Sequence, residues 1–114
     1  FDHLPEGKDI PPHDHGIWEM LAIYSGKLHH TVYDREDDGS KEGYAKLKTI
    51  DDRVLQPGEM SMVAPPAEIH SFTALTDDTW SVTIVGGKYK VDRHYYDPAS
   101  SSCRIANPKK QKVV

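Results

Sequence analysis

At 114 residues with 37% hydrophobic side chains, the chain has material for one modest core and not for two. Its net charge of -4 and pI near 5.9 exclude a general electrostatic attraction to nucleic acid, and no apolar run approaches the length of a membrane span. The single Cys103 has no internal disulfide partner, which fits a reducing compartment and predicts a cytoplasmic location; because the chain opens on Phe1 rather than methionine, further residues are expected before it.

Residues 1–12 hold two Gly/Pro clusters, Leu4-Pro5-Glu6-Gly7 and Ile10-Pro11-Pro12, which read as a turn and an extended edge. Residues 18–24 are rich in aromatic and aliphatic side chains, Ser25-Gly26 has the look of a two-residue turn, and residues 27–33 form a second strand. The spacing predicts a hairpin in which Tyr24 faces Lys27, Leu21 faces His30 and Glu19 faces Val32. Glu19, Leu21, Ile23, Leu28, His30 and Val32 then point inward, His29 points outward, and His30 becomes a candidate for the pocket or for support of the residues in it. The outward stripe Trp18, Met20, Ala22 and Tyr24 is too apolar for a solvated face, so a homodimer is expected.

Residues 34–43 form a charged, Gly-containing loop, residues 44–50 alternate, and residues 51–58 contain a short strand and the turn Gln56-Pro57-Gly58. Residues 60–64 run extended into Pro65-Pro66. A strand over 69–75 carries His70, and a tight loop at 76–79 returns the chain through a strand over 80–85 to Gly86-Gly87. Pairing Leu75 with Trp80 sets His70 opposite Val85, Phe72 opposite Thr83 and Ala74 opposite Ser81, and directs all six into a pocket, with Phe72, Ser81, Thr83 and Val85 as the candidate substrate contacts. Residues 88–96 form a last strand. The barrel is expected over 1–98 and a polar tail, or an arm covering a partner, over 99–114. Eight or so short strands without helical periodicity argue for an all-β sandwich or barrel.

The chemistry concentrates between Gly7 and Gly26. His13, Asp14 and His15 follow Gly7, Glu19 follows His15, and Gly26 closes the run, giving G-x5-HxH-x3-E-x6-G. Alternate side chains of an extended strand share a face, so His13 and His15 point together, with Glu19 in phase if the strand carries on. With His70 they make a set suited to a divalent transition metal. An unpaired carboxylate at that depth would be costly, so Glu19 is expected as a fourth ligand or one water away, and as a catalytic group alongside His30.

These residues resemble the first motif of the cupins, and Pro65-Pro66-Ala67-Glu68-Ile69-His70 resembles the second, with Ala67 and Ala74 where the family has glycine and asparagine. The resemblance implies a cupin double-stranded β-helix, a jelly-roll barrel, and, where the family carries strands before the first motif, an edge that is open, covered by a dimer partner, or supplied by residues before Phe1. Within the cupins, Pro12-His13-Asp14-His15-Gly16-Ile17-Trp18, the segment 65–71, and a Gly-Gly turn leading to Arg93 and Tyr95-Tyr96-Asp97-Pro98 are most similar to the thiol dioxygenases. That implies Fe(II) held by His13, His15 and His70, with O2 and a small thiol as substrates; imidazole sites also accept Ni, Mn, Co, Cu or Zn. Two departures stand out. Glu19 has no counterpart in that family, and the Ser-x-His-x-Tyr element expected after the third histidine reads Ser81-Val82-Thr83-Ile84-Val85. A three-His-one-Glu enzyme of another type (a carbon-carbon-cleaving dioxygenase, lyase or isomerase) and a non-catalytic binding cupin are the other two readings.

Overall fold

A computed structural model describes residues 1–65, 68–89 and 92–106. The described residues form ten strands: β1 (Asp2–Leu4), β2 (Asp9–His13), β3 (Glu19–Ser25), β4 (Leu28–Arg35), β5 (Leu47–Leu55), β6 (Met60–Val63), β7 (Ile69–Ala74), β8 (Thr79–Val85), β9 (Arg93–Asp97) and β10 (Ser102–Ala106). All pairings are antiparallel, in a four-stranded sheet ordered β1-β8-β3-β6 and a six-stranded sheet ordered β10-β9-β2-β7-β4-β5. Two sheets facing each other across a shared interior are the expected jelly roll.

The strand partners differ from the two hairpins read from the sequence. β3 pairs with β8 and β6, whereas β4 pairs with β5 and β7, so Ser25-Gly26 carries the chain from one sheet to the other. Glu19 therefore lies beside Val63 and Val85 rather than Val32, and His30 lies beside Phe72 and Arg53 rather than Leu21. The reason is the corner itself. Gly26 has φ of +76°, and a Cβ there would meet the Thr79 Cα at 2.5 Å, so the backbone folds tightly against β8 as it leaves the sheet. The 76–79 loop is a second crossing of this kind: β7 pairs with β2 and β4, and β8 with β1 and β3. His70 thus sits opposite Val32 and His13, not Val85.

The facing of each residue nevertheless follows the period of two, because inside and outside alternate whichever strand lies alongside. Glu19, Leu21, Ile23, Leu28, His30 and Val32 are all buried, and His29 is exposed. Leu4, Leu21, Ile23, Leu28, Leu55 and Ala74, with Phe72 against them, form the core between the sheets. A second cluster, Ala45, Ile69 and Tyr96, lies on the outer side of the six-stranded sheet, with Tyr33, Leu47 and Cys103 packed against it.

Three further differences have local causes. β2 is an interior strand rather than an edge, and it tolerates Pro11 and Pro12 because the β2–β7 register shifts between Ile10 and His13, a bulge in which no ladder donor is required. The segments 44–50 and 51–58 merge into the single strand β5, with a register shift against β4 between Val32 and Tyr33. The stretch assigned to a tail contains β10, which pairs with β9 from Ser102↔Asp97 to Ala106↔Arg93, so the sheet extends past Pro98; residues 107–114 lie outside the described residues. At the edge where the family carries strands before the first motif, β1 lies on β8. Among the described residues no helix is long and apolar enough to cross a membrane.

Candidate metal centre

His13 ends β2, and its Nδ1–H donates to the Pro11 carbonyl at 2.8 Å. That bond leaves the Nε2 lone pair free and aimed inward. His15 follows in the connection to β3, and its Nε2 is 2.9 Å from His13 Nε2. His70 comes from β7, the ladder neighbour of β2, with its Nε2 3.3 Å from His15 Nε2. The three ligand atoms lie within 4.8 Å of one another, and all three residues are buried. Cis ligands on an ion with bonds of about 2.1 Å stand about 3.0 Å apart. The spacing of these nitrogens therefore fits a metal.

The turn that sets His15 is held from the second motif. The Glu68 carboxylate accepts from the Gly16 N–H through both oxygens, at 3.0 and 2.8 Å, and Gly16 has φ of +79°. Asp14, between the two ligands, faces away from them. It accepts from the His94 backbone N–H at 2.9 Å and from the Tyr96 hydroxyl at 3.4 Å, clamping β9 beside β2. Of the second motif, Pro66 and Ala67 lie outside the described residues.

Glu19 opens β3 in the facing sheet, so the strand does not carry on from His15 as the parity argument supposed; the chain crosses between sheets and arrives pointing inward again. Its Oε2 is 3.1 Å from His15 Nε2 and its Oε1 is 3.8 Å from His70 Nε2. The Tyr89 hydroxyl donates to Oε2 at 2.6 Å, and the Tyr89 ring stacks on His15 with centroids 4.8 Å apart. The Arg93 guanidinium lies 4.7 Å over the Tyr89 ring, and its Nε is buried without a hydrogen-bond partner among the described residues. Neither Tyr89 nor Arg93 was assigned a role from sequence. Tyr89 stands after the Gly86-Gly87 turn, at no motif spacing.

A cavity of about 370 Å³ opens onto this group, and His13, His15, Glu19, Phe72, Ser81, Thr83, Val85, Tyr89 and Arg93 are among its walls. Of the six residues directed into the pocket by the sequence reading, Phe72, Ser81, Thr83 and Val85 are thus together, whereas His70 and Ala74 are not among the walls, and Ala74 packs in the core. The four come from both sheets: Phe72 on β7, the other three on β8. His30 does not reach the cavity. It lies behind His70, with its Nε2 2.9 Å from His70 Nδ1, because β4 sits beside β7 rather than β3. A larger cleft of about 660 Å³ lies between the 39–43 loop and β10, away from the three histidines; its Arg35 is already held by Asp37.

Burial favours the neutral imidazole at His13, His70 and His30. The pKa of His13 is lowered chiefly by desolvation, against the opposing Pro11 hydrogen bond; that of His70 is lowered by desolvation and by the neighbouring histidines. His30 is brought down to about 4 by burial. Glu19 is raised by desolvation, opposed by the Tyr89 hydrogen bond and Arg93. Metal-binding histidines must be neutral, and the lowered values of His13 and His70 favour that form.

No family model matches the sequence, and no curated protein matches it. Among solved structures it is similar to the rmlC epimerase of Mycobacterium tuberculosis, with a TM-score of 0.62 and 17% sequence identity over 83% of this chain. The chain spans about half of that structure, 48% of its length. At that identity the likeness speaks for the backbone alone, and together with two antiparallel sheets around a three-histidine cluster it gives the chain the cupin fold.

Proposed function

We propose that the protein is a metal-dependent cupin oxygenase of the thiol dioxygenase type, acting on a small thiol that also bears an anionic group. The observation that carries this reading is the convergence of the buried Nε2 atoms of His13, His15 and His70, at 2.9 and 3.3 Å, with His13 and His15 on the wall of an open cavity. His13, His15 and His70 would hold the metal. When bound, Fe(II) supplies the redox chemistry that joins O2 to sulfur. Three neutral ligands leave the ion's charge to attract a thiolate.

The chain's own residues do the rest. Tyr89 holds Glu19 through its hydroxyl, and Glu19, beside His15 and on the cavity wall, is the carboxylate that would accept the substrate's proton. Arg93 presents a cation to the cavity with its Nε unpaired, and a carboxylate on the substrate is the partner that geometry accepts. Ser81 and Thr83 add hydroxyls from the opposite sheet.

A second reading, an O2-independent isomerase or epimerase, is favoured by one contact: phenol, carboxylate and imidazole form a continuous acid-base chain from Tyr89 through Glu19 to His15. The epimerase named on the similar structure belongs to this class. One experiment separates the two. Protein loaded anaerobically with Fe(II) is given 3-mercaptopropionate, cysteine and cysteamine while O2 uptake and sulfinate are followed. Uptake with the two carboxylates and little with cysteamine is expected. Full metal loading with no O2 uptake on any thiol would discard the dioxygenase reading, and equal turnover of cysteamine would discard the role of Arg93.

A further inference from the structure

The outer face of the four-stranded sheet is built unlike a solvated surface. Across β6, β3 and β8, Met62, Met20 and Ile84 form one row, and Met60, Ala22 and Val82 form the next. Beyond them Tyr24 and Trp80 are bridged by Phe1, whose ring centroid is 5.4 Å from each. None of the outward positions on β3, β6 and β8 carries Asp, Glu, Lys or Arg. The same positions on the six-stranded sheet include Asp9, which binds Thr73, and His29 paired with Asp52. One outer face is therefore laced with polar pairs and the other is not.

We propose that this face docks on the same face of a second copy of the chain, sheet against sheet about a twofold axis. The exposed fractions run from 37% at Trp80 through 52% at Met60 and 67% at Met62 to 69% at Tyr24. Taking about 200 Å² for each large side chain, the patch from Trp18 to Phe1 amounts to roughly 750 Å². A standard interface buries about 800 Å² per partner, and a monomer's largest apolar patch is about 300–600 Å². The area thus equals one side of a stable dimer and exceeds what a lone soluble domain usually shows. A twofold contact sets each patch against its own image, which a charged face resists and an uncharged one permits. Methionines suit it, since their unbranched side chains repack to fill the seam.

Light scattering after size exclusion tests the assignment. At roughly 10 μM, where a dimer with a submicromolar dissociation constant is complete, the wild type should show twice the chain mass of 12.9 kDa. The double variant Met62→Glu/Ile84→Glu, both sites exposed and outside the cavity, should dissociate at least 100-fold more readily while keeping its circular dichroism. Val54→Glu, on the outside of the six-stranded sheet, should leave the dimer intact. A wild-type mass of 12.9 kDa at roughly 100 μM overturns the proposal. So does a Met62→Glu/Ile84→Glu variant that stays as dimeric as the wild type. A wild type that is monomeric alone yet binds lipid vesicles through this face assigns it another occupant and equally overturns it.

Discussion

Replacing His30 by phenylalanine tests how the buried layer behind the ligands acts on metal affinity. His30 and His70 are 0% and 1% exposed, and their rings share one hydrogen bond of 2.9 Å between Nε2 and Nδ1. When His70 gives its Nε2 lone pair to a metal, its proton must sit on Nδ1 and be donated to His30. In His30→Phe the ring volume is kept and the acceptor is lost. Metal-free His70 escapes the penalty by moving its proton to Nε2, 3.3 Å from His15. Metal-bound His70 has no escape: its Nδ1–H faces a hydrocarbon ring. The cost of an unsatisfied buried donor, about 1–3 kcal/mol, therefore falls on the bound state alone and predicts roughly a 5- to 150-fold weaker dissociation constant. Competition against a chelating dye with Zn(II) or Fe(II) reads it directly. His30→Gln, which restores an acceptor, should recover most of the loss. Affinity within twofold of wild type in His30→Phe would refute the reasoning, since the donor would then have found another partner.

Two more outcomes follow from burial and backbone geometry. His30 titrates at about 4 when folded against 6.5 when free, so between those values the unfolded chain binds more protons; stability of the metal-free protein is whole above pH 6.5 and falls as pH drops toward 4, by about 3 kcal/mol from this group. His13 and His70 shift in the same direction, while Glu19, raised above 4.5, opposes them just above that value; a urea midpoint unchanged between pH 7.5 and 5 would contradict this balance. Gly26→Ala forces a Cβ to 2.5 Å from the Thr79 backbone at φ +76°, combining a left-handed penalty with overpacking, about 2–5 kcal/mol in all. Its thermal midpoint should fall by about 8 °C or more, at about 4–8 °C per kcal/mol for a domain near this size; a fall of less than 2 °C would mean that the corner relaxes freely.

Facing was legible in the sequence and pairing was not. Glu19, His30 and Phe72 were correctly placed inside because the period of two is local to each strand. Their neighbours were misassigned because Ser25-Gly26 has the composition of a hairpin turn, and nothing local distinguishes a turn that returns within a sheet from one that leaves it. The His13, His15 and His70 cluster was readable because its residues sit at fixed spacing. Tyr89 and Arg93 were not: they reach the cavity from beyond the Gly86-Gly87 turn, by a path the intervening chain decides. β10 escaped notice because an edge strand with little covering needs no strict alternation.

The ladder that puts His13 directly beside His70 also fixes the order of events in assembly. His15 and His70 are 55 residues apart in the chain, and closing such a loop costs entropy before any contact repays it. During synthesis the first two imidazoles emerge long before the third, and a bidentate pair on an unpaired strand holds divalent ions weakly. Capture of the metal would therefore come last, after β7 has zipped onto β2. Loss of the metal would not require the barrel to open, whereas any opening that parts β2 from β7 would release it. Ion occupancy would then report on the closure of that one seam, even while the rest of the domain stays folded.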